Sequence, residues 1–387
     1  MLNLLVRNKR LPIALDIGAD SVKMLQVRRS PASWSIIAAG MARMACQAQQ
    51  DPAAWRKEVV ATVRNLLGAN GFSGHKVVTA LSCGELSIKS VRLPSMPEAE
   101  LREAVKWEAK ERFGFDLAPD QLSYLDAGEV RNGNETAREV IMLAAPREVI
   151  DAHIDLLADI GLSPEHIDAA PVALFRGFER FLRRRDDEQT VSVVVDLGCS
   201  ATRVVVARGR QIVFIKSIDI GGRKFTEAVA TQFNLSYADA RQIRVKKAGE
   251  LAANPSGPGE PQRDKSDAES LDWNIHDAVR AHVEALSGEI ALCLRYCSVT
   301  FRGLRPAQVI LSGGEAYDPF VTKIIGERLG VECTLGHPLQ GIAVNNTDLG
   351  GDRSAQVEWA TCAGLAIRDL ELGDQTELDH GENRLSA

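Results

Sequence analysis

The sequence contains few aromatic residues and no long apolar run. Phe, Trp and Tyr together make up 5% of its 387 residues, and no segment approaches the ~20 apolar residues that a membrane-spanning helix requires. The first ten residues, MLNLLVRNKR, run from apolar to basic, whereas a secretory signal peptide begins with its basic part. We therefore expect a cytoplasmic protein that reaches a membrane only indirectly, through a partner.

The sequence also lacks an excess of basic residues and a cysteine framework. Its net charge of −6 argues against a general affinity for nucleic acid or anionic lipid, because phosphate binding favours a basic surface. The cysteines are odd in number and scattered, which indicates reduced core thiols. Cys293 and Cys297 share a helix face, but no histidine or second cysteine pair completes a zinc site. The composition, 45% hydrophobic and 25% charged, is that of an ordinary α/β protein.

One pattern occurs twice in the chain. LPIALDIGADSVKMLQV, residues 11–27, returns as VSVVVDLGCSATRVVVA, residues 191–207. Each copy predicts a buried strand, a tight turn and a second strand, because branched apolar residues continue on both sides of the turn. An acid that ends a buried strand in both copies indicates a functional site. The matching positions are, pair by pair, Asp16 and Asp196, Gly18 and Gly198, and Lys23 and Arg203.

The two predicted hairpins have the residue types that bind a phosphate chain. A tight turn directs successive backbone N–H groups into one concavity, which binds anions. Gly18 and Gly198 avoid a Cβ that would block close approach of a phosphate. Asp16 and Asp196 would repel phosphate but can hold Mg²⁺ through the metal's own waters. Two such hairpins facing each other across a cleft would hold a di- or triphosphate from both sides.

Two further glycine pairs fit the same interpretation. In SGGEA, residues 312–316, the glycines provide a backbone without side chains on which a purine and a ribose can lie. In DIGGRKFT, residues 219–226, the glycines open a helix whose N-terminus favours negative charge. Each motif alone is common turn chemistry. The order of all four motifs, at domain-scale spacing, predicts a nucleotide site.

Periodicity predicts the helices and an insertion. A β-α-β-β block over residues 89–145 separates helices that belong to one domain. Ser95 and Glu98 form a capping-box pattern, which predicts a helix start at this point. The predicted helices cover residues 52–70, 98–112, 148–160, 171–184 and 278–296.

The predicted organisation is two domains of similar size followed by a tail. The loop over residues 250–268 is rich in Pro and Gly and poor in apolar residues, so we expect it to be mobile. The predicted ranges are a first domain over 11–189 with the insertion 89–145, a second domain over 190–368 with a helical subdomain over 235–304, and a disordered acidic tail over 369–387.

The ordered set LDIGADSVK, VVDLGCSATRVVV, IDIGGRKFTEA and ILSGGEAYDPF resembles the actin, Hsp70 and sugar-kinase superfamily. Within it, residues 11–368 are similar to the PilM family of type IV pilus assembly proteins. LPSMPEAELREAVKWEAKERFGFDLAPDQLSYLD is similar to the subdomain that PilM proteins share with FtsA. The resemblance implies an α/β class with a duplicated actin-like (ribonuclease H-like) ATPase fold. It also implies two domains around a nucleotide cleft and an FtsA-like inserted subdomain.

The resemblance implies ATP or ADP with Mg²⁺ as cofactors, and it assigns residues in four groups. The first phosphate loop would contain Asp16, Gly18, Ala19, Asp20 and Ser21, with Lys23 beside it. The second phosphate loop would contain Asp196, Gly198, Cys199 and Ser200. The residues beside the nucleotide would be Gly221, Gly222 and Lys224, and those at the adenosine Gly313 and Gly314. The metal would be held by Asp16 and Asp196 through water. Lys246 is a candidate for the ribose, with a solvated helix charge as the alternative.

Three residues depart from the pattern of the superfamily. Ala19 and Cys199 stand where a hydroxyl donor is usual, and each lost hydrogen bond costs about 0.5–1.5 kcal/mol. Glu315 places an acid beside the expected adenine position. No residue is identified as the base that would position an attacking water. We therefore expect ATP binding with weak or no ATPase activity.

The resemblance further implies a cytoplasmic, ATP-binding scaffold of type IV pilus assembly, peripheral at the inner face of the inner membrane. It would dock the cytoplasmic N-terminal segment of a PilN-like inner-membrane protein and contact other platform proteins of the pilus. Self-association is also possible, because LNLL, residues 2–5, resembles the core of the PilN motif. The alternatives are a GspL-like secretion platform component and a small-molecule kinase of the same superfamily.

Overall fold

In the computed structural model the chain forms two compact units. The first contains residues 1–125, 140–183 and 337–387, and the second contains residues 126–139 and 184–336. The residues that the structure describes are 9–30, 33–45, 51–132, 135–181, 188–253, 267–301, 305–306, 308–344, 349 and 356–368. The LNLL segment, most of the predicted loop 250–268 and the predicted tail 369–387 lie outside these ranges.

The elements alternate between strands and helices along the chain. The first stretch contains β1 (Lys9–Arg10), β2 (Ile13–Ile17), β3 (Ser21–Arg29), β4 (Trp34–Arg43), α1 (Pro52–Ala69) and β5 (Lys76–Leu81). Next come β6 (Ser87–Pro94), α2 (Glu98–Phe113), β7 (Leu122–Asn132), β8 (Glu135–Ala144), α3 (Arg147–Ile160), β9 (Ser163–Ala169) and α4 (Ala170–Glu179). The remainder contains β10 (Val191–Leu197), β11 (Thr202–Arg208), β12 (Gln211–Ile218), α5 (Gly222–Phe233), α6 (Tyr237–Ala253), α7 (Asp267–Thr300), β13 (Gln308–Ser312), α8 (Pro319–Leu329), β14 (Cys333–Leu335), β15 (Ala343–Val344) and α9 (Ala360–Ala366).

The same sheet topology occurs in both units. The first sheet has the order β15-β4-β3-β2-β5-β9, with β1 paired to β3, and the second has the order β12-β11-β10-β13-β14. Strand β2 pairs antiparallel with β3 and parallel with β5. Strand β10 pairs antiparallel with β11 and parallel with β13. This repeat is the duplicated α/β architecture that the sequence predicts, and each predicted hairpin lies at the centre of its own sheet.

Residues 359–367 complete the core of the first unit. Helix α9 packs on α4, and the fully buried Trp359 and Cys362 share a core with Leu25 of β3. The two helices approach closely, because a Cβ on Gly177 would lie 2.7 Å from the Ala360 carbonyl oxygen. The sequence predicts a second domain that runs to residue 368, whereas residues from His337 onward belong to the first unit. Only the tertiary packing of α9 reveals this assignment.

The inserted block forms a sheet of its own. Its order is β6-β8-β7, and α2 packs on it through an apolar face that includes Leu101 and Val105. Helix α2 begins at Glu98, as predicted, but the predicted capping box is wrong, because the capping residue is Pro97 and makes no side-chain hydrogen bond. Acidic residues in the first turn of α2 instead complement the positive end of the helix dipole.

An ion cluster around the buried Asp168 joins β9, α4 and Arg368, which follows α9. Asp168 Oδ2 accepts hydrogen bonds from Arg176 Nη1 at 2.7 Å and from Arg368 Nη1 at 2.6 Å. Burial alone would raise the pKa of Asp168, but the two guanidinium groups outweigh burial and lower the pKa below its ordinary value of 3.8. The sequence analysis did not predict β9, whose residues SPEHIDA are largely polar.

None of the helices within the described ranges is both long enough and apolar enough to cross a membrane.

We expect Asp168→Asn to destabilise the first unit by about 3–5 kcal/mol at neutral pH, because it leaves buried guanidinium charge without its partner. The lowered pKa means that the wild-type contribution is present above pH 3.8 and is lost as the pH falls through the folded-state pKa. The difference between the two proteins should therefore shrink in acid. Urea unfolding followed by circular dichroism at several pH values measures this.

The matched control is Asp159→Asn, which removes an exposed ion pair with Arg56 and should cost at most ~1 kcal/mol. Equal losses for the two variants would show that the Asp168 cluster does not stabilise the unit.

Candidate functional site

The first hairpin closes over a two-residue turn in the first unit. The Gly18 N–H donates to the Ser21 carbonyl at 2.9 Å, which leaves Ala19 and Asp20 at the tip. A Cβ on Gly18 would lie 2.9 Å from that same carbonyl oxygen, so the turn itself requires a glycine. The Asp20 carboxylate pairs with Arg43 of β4 at 3.1 Å. The Asp20 carbonyl accepts from the Met44 N–H, and these contacts hold the tip against β4.

The second hairpin has the same construction in the second unit. The Gly198 N–H donates to the Ala201 carbonyl at 3.2 Å, with Cys199 and Ser200 at the tip. A Cβ on Gly198 would lie 2.7 Å from the Ala201 carbonyl oxygen. The sequence predicts this glycine to permit the close approach of a phosphate. In the structure, the glycine is already required by the turn.

The second hairpin is fixed to the start of α5 by backbone hydrogen bonds. The Gly222 N–H donates to the Gly198 carbonyl at 3.0 Å, and the Arg223 N–H donates to the Cys199 carbonyl at 2.8 Å. A Cβ on Gly221 would lie 2.5 Å from the Gly198 carbonyl oxygen and 2.7 Å from the Cys199 carbonyl oxygen. Gly221 therefore permits the contact between hairpin and helix.

These two bonds also orient the N–H groups at the tip of the hairpin. The described peptide bonds are trans, so the N–H of each peptide unit points opposite to its C=O. Because the Gly198 and Cys199 carbonyls point toward α5, the N–H groups of Cys199 and Ser200 point away from it. Two successive N–H groups that point the same way are the elements of an anion-binding nest.

The third glycine motif lies against the acid of the second hairpin. Ser312 is the parallel neighbour of Asp196 in the sheet. Gly313 has a φ of +87°, and a Cβ there would lie 2.8 Å from Asp196 Oδ1 and closer still to the Leu197 carbonyl. Gly313 is therefore required both by its left-handed conformation and by its closeness to β10. Gly314 is exposed and opens a 3₁₀ helix, Gly314–Tyr317.

Arg244 of α6 is a site residue that sequence analysis missed. Its guanidinium is buried and donates to the Gly222 carbonyl at 3.1 Å, to Thr226 Oγ1 at 2.9 Å and to Glu315 Oε2 at 2.6 Å. The Glu315 side chain lies so close to Gly222 that a Cβ on this glycine would overlap it. The structure therefore gives Glu315 and Gly222 a common role. Glu315 is the ion partner of Arg244, and Gly222 leaves the space that the Glu315 side chain occupies where α5, α6 and the 3₁₀ helix meet.

Asp318 lies behind this ion pair and is almost fully buried. Burial raises the pKa of its carboxyl above 3.8, and the charges of Arg244 and His276 only partly oppose that shift. Its Oδ1 accepts from the Phe320 N–H at 3.0 Å and caps α8.

Each hairpin aspartate is paired with a basic side chain on the facing strand. Asp196 is opposite Arg203 in the register of β10 and β11, and Arg203 Nη2 lies 2.5 Å from Asp196 Oδ2. This contact is an electrostatic one, because Oδ2 accepts no aligned hydrogen bond from the described residues. Asp16 is opposite Lys23, whose Nζ lies 3.8 Å from Asp16 Oδ2 and 3.0 Å from Ser21 Oγ.

The residues of the two hairpins do not fit a protein-held magnesium ion. Each aspartate already has a cation against its Oδ2 atom. No group of three or more His, Cys, Asp or Glu side chains within the described ranges is placed to hold a metal. Lys23 and Arg203 therefore already compensate the negative charge that would attract a magnesium ion.

The structure brings part of the expected site together. In the second unit, the loop after Asp196 contacts Gly221 and Gly222 of α5, and Asp196 contacts Gly313. Lys224 and Lys246 are exposed on α5 and α6. The assignment of Lys246 to the ribose therefore stays a prediction.

Comparison with known proteins identifies related chains. Residues 14–256 match the family described as type IV pilus assembly protein PilM. A solved PilM–PilN type IV pilus biogenesis complex contains a chain 24% identical to this one, with a TM-score of 0.72, over 92% of this chain and 98% of that chain. The ethanolamine utilization protein EutJ from Carboxydothermus hydrogenoformans is 14% identical, with a TM-score of 0.53, over 94% of this chain and 90% of that one. The two structures confirm the fold.

We expect Gly221→Ala to separate α5 from the second hairpin, because the new Cβ would lie 2.5 Å from the Gly198 carbonyl oxygen. The amide protons of Gly222 and Arg223 would then exchange with solvent at least about tenfold faster, which corresponds to ~1.4 kcal/mol of lost protection. Hydrogen exchange measured by NMR reports this directly. Gly326→Ala is the control and should leave both amides protected, because its new Cβ would meet only Cys333 atoms at ordinary distances of 3.8 Å and beyond. Unchanged protection of both amides in Gly221→Ala would contradict the role given to Gly221.

Proposed function

The chain belongs to the PilM family of type IV pilus assembly proteins, and on that basis we propose that it is an ATP-binding scaffold of this assembly. In this proposal, the nucleotide binds beside the second hairpin and a partner peptide binds to the first unit. The nucleotide acts as a conformational ligand, which shifts an equilibrium only by its differential affinity for two states.

One observation carries the nucleotide proposal. The N–H groups at the start of α5 hold the Gly198 and Cys199 carbonyls, so the N–H groups of Cys199 and Ser200 point together to the other side of the turn. A phosphate group is a suitable ligand for such a nest. Ser200 is exposed at the tip, where its hydroxyl can add a further hydrogen bond.

The surroundings of the nest support the same ligand. Arg203 is on the adjacent strand, and its side chain remains 22% exposed, so a phosphate can reach it. Gly313 and Gly314 follow the neighbouring strand β13, where we propose that the adenosine lies. We extend the phosphate-binding role to the tip of the first hairpin, Gly18 to Ser21, because it is built in the same way. The water-mediated magnesium site at Asp16 and Asp196 stays a prediction of the resemblance.

We propose a PilN-like inner-membrane protein as the partner, bound through its cytoplasmic N-terminal segment. The similarity to the PilM chain of a PilM–PilN complex motivates this choice of partner. Strand β6 is an edge strand of the inserted sheet. An extended peptide can add to such an edge through main-chain hydrogen bonds. Lys89 and Arg92 are exposed on β6, and they would favour a peptide that carries acidic residues.

Isothermal titration of the purified chain with ATP tests the nucleotide proposal. We expect Gly198→Ala to weaken ATP binding by about tenfold or more, or ~1.4 kcal/mol, because its Cβ would meet the Ala201 carbonyl oxygen at 2.7 Å and distort the turn. Gly249→Ala is the control, because a Cβ at that position of α6 meets nothing within 4 Å. Absence of ATP binding by the wild-type chain would refute the proposal, as would equal affinity in the two variants.

Pull-down with the N-terminal peptide of the PilN-like protein from the same genome tests the partner proposal. We expect the wild-type chain to retain the peptide. We expect the double substitution of Lys89 and Arg92 by Glu to weaken retention of a peptide with acidic residues by about tenfold. Lys106→Glu on the exposed side of α2, where it breaks a pair with Glu103, is the control. No retention by the wild-type chain, with or without ATP, would count against the proposed partner.

A further inference from the structure

Each hairpin contains one charged pair among apolar neighbours. Along β10 and β11, the pairs Val193–Val206 and Val195–Val204 face each other, and the next pair toward the turn is Asp196–Arg203. Along β2 and β3, the last pairs before the turn are Asp16–Lys23 and Ile17–Val22. The charged pair is therefore placed at the turn end of the strands in both units.

These pairs lie in an environment where charge is expensive. The Asp196 and Arg203 side chains are 7% and 22% exposed, and the Asp16 and Lys23 side chains are 15% and 11% exposed. A buried ion pair rarely stabilises a fold more than a packed apolar pair does, because both charges lose their hydration. Removing one partner alone would leave an uncompensated buried charge, so each pair is kept or lost as a unit, and a ligand at the turn gives a reason to keep both pairs.

The basic side chains Arg203 and Lys23 change what the aspartates can bind. A carboxylate attracts hydrated magnesium through its negative charge, and at 2.5 Å from Asp196 the Arg203 guanidinium already compensates that charge. A guanidinium is also a strong phosphate ligand, because its fixed N–H groups can donate to two oxygens at once. The cation that a phosphate needs is therefore already present as a side chain.

We propose that Arg203, and not a magnesium ion, is the cation that accompanies the nucleotide phosphates at the second hairpin. Nucleotide binding is then independent of divalent cations. This inference rests on the nucleotide site proposed above. It replaces the predicted metal at Asp196 with a basic side chain of the protein itself.

The test compares ATP affinity in magnesium with affinity in excess EDTA, by isothermal titration of the full chain. We expect the wild-type affinities in the two buffers to agree within about threefold, a difference below 1 kcal/mol. We expect Arg203→Gln to weaken binding in EDTA by about tenfold or more, because a charge-assisted contact to phosphate is lost. Magnesium should restore part of this loss, since Asp196 is then free to attract the metal.

Three variants separate the roles of the two side chains. Arg208→Gln removes a basic side chain at the far end of β11 and should bind ATP as the wild type does. Arg203→Lys keeps the charge and should retain part of the affinity in EDTA. Asp196→Asn should tighten binding in EDTA, because it removes the acid that competes with phosphate for Arg203, and should abolish any effect of magnesium. Thermal unfolding curves identify a variant that has lost its fold, and the wild-type comparison does not depend on any variant.

The outcomes distinguish this inference from the proposed function. No ATP binding in either buffer would refute the nucleotide site itself. Wild-type binding that falls by more than about tenfold in EDTA would leave the site in place and overturn the role of Arg203. Equal affinities of the wild type and Arg203→Gln in EDTA would overturn it as well.

Discussion

Two backbone hydrogen bonds at the start of α5 hold the parts of the second unit's site in place. The first turn of any helix has N–H groups without partners inside the helix. Here two of them donate to the Gly198 and Cys199 carbonyls. The sequence predicts that the positive end of this helix faces an anion. In the structure, the helix end holds the hairpin, and the N–H groups of Cys199 and Ser200 point away from the helix. Gly221 is part of the same arrangement, because any side chain there would separate helix and turn.

Around this contact, side-chain charges are paired within the unit. Arg244 links α6 to the Gly222 carbonyl and to Glu315, and Arg203 compensates Asp196. Such pairs give a site a defined geometry more than they add stability. A ligand that carries several negative charges would enter a site whose bases are already oriented by acids of the same chain. Binding would then exchange one set of ion pairs for another.

Local patterns in the sequence were sufficient to predict the hairpins, their glycines and the duplicated fold, because each depends on residues close together in the chain. Which side of a helix faces its neighbours depends on tertiary packing. In RQIRVKK, Arg244 therefore contacts the Gly222 carbonyl without any local signal for it, and Lys246, two residues later and ~200° further around the helix, stays a prediction for the ribose. Glu315 was recognised as unusual, but its partner is 71 residues away. The polar strand β9 and the return of α9 to the first unit likewise depend on distant partners.

The order of the segments along the chain has a consequence for synthesis on the ribosome. The first unit is interrupted by residues 184–336 and completed only by residues from His337 onward. Trp359 and Cys362, which fill its core beside α4, leave the ribosome after the whole of the second unit. Until then, an apolar surface on β2, β3 and α4 lacks its natural cover. During this interval of synthesis, the uncovered surface of β2, β3 and α4 is a defined hydrophobic target for a chaperone. The interval ends when α9 emerges from the ribosome.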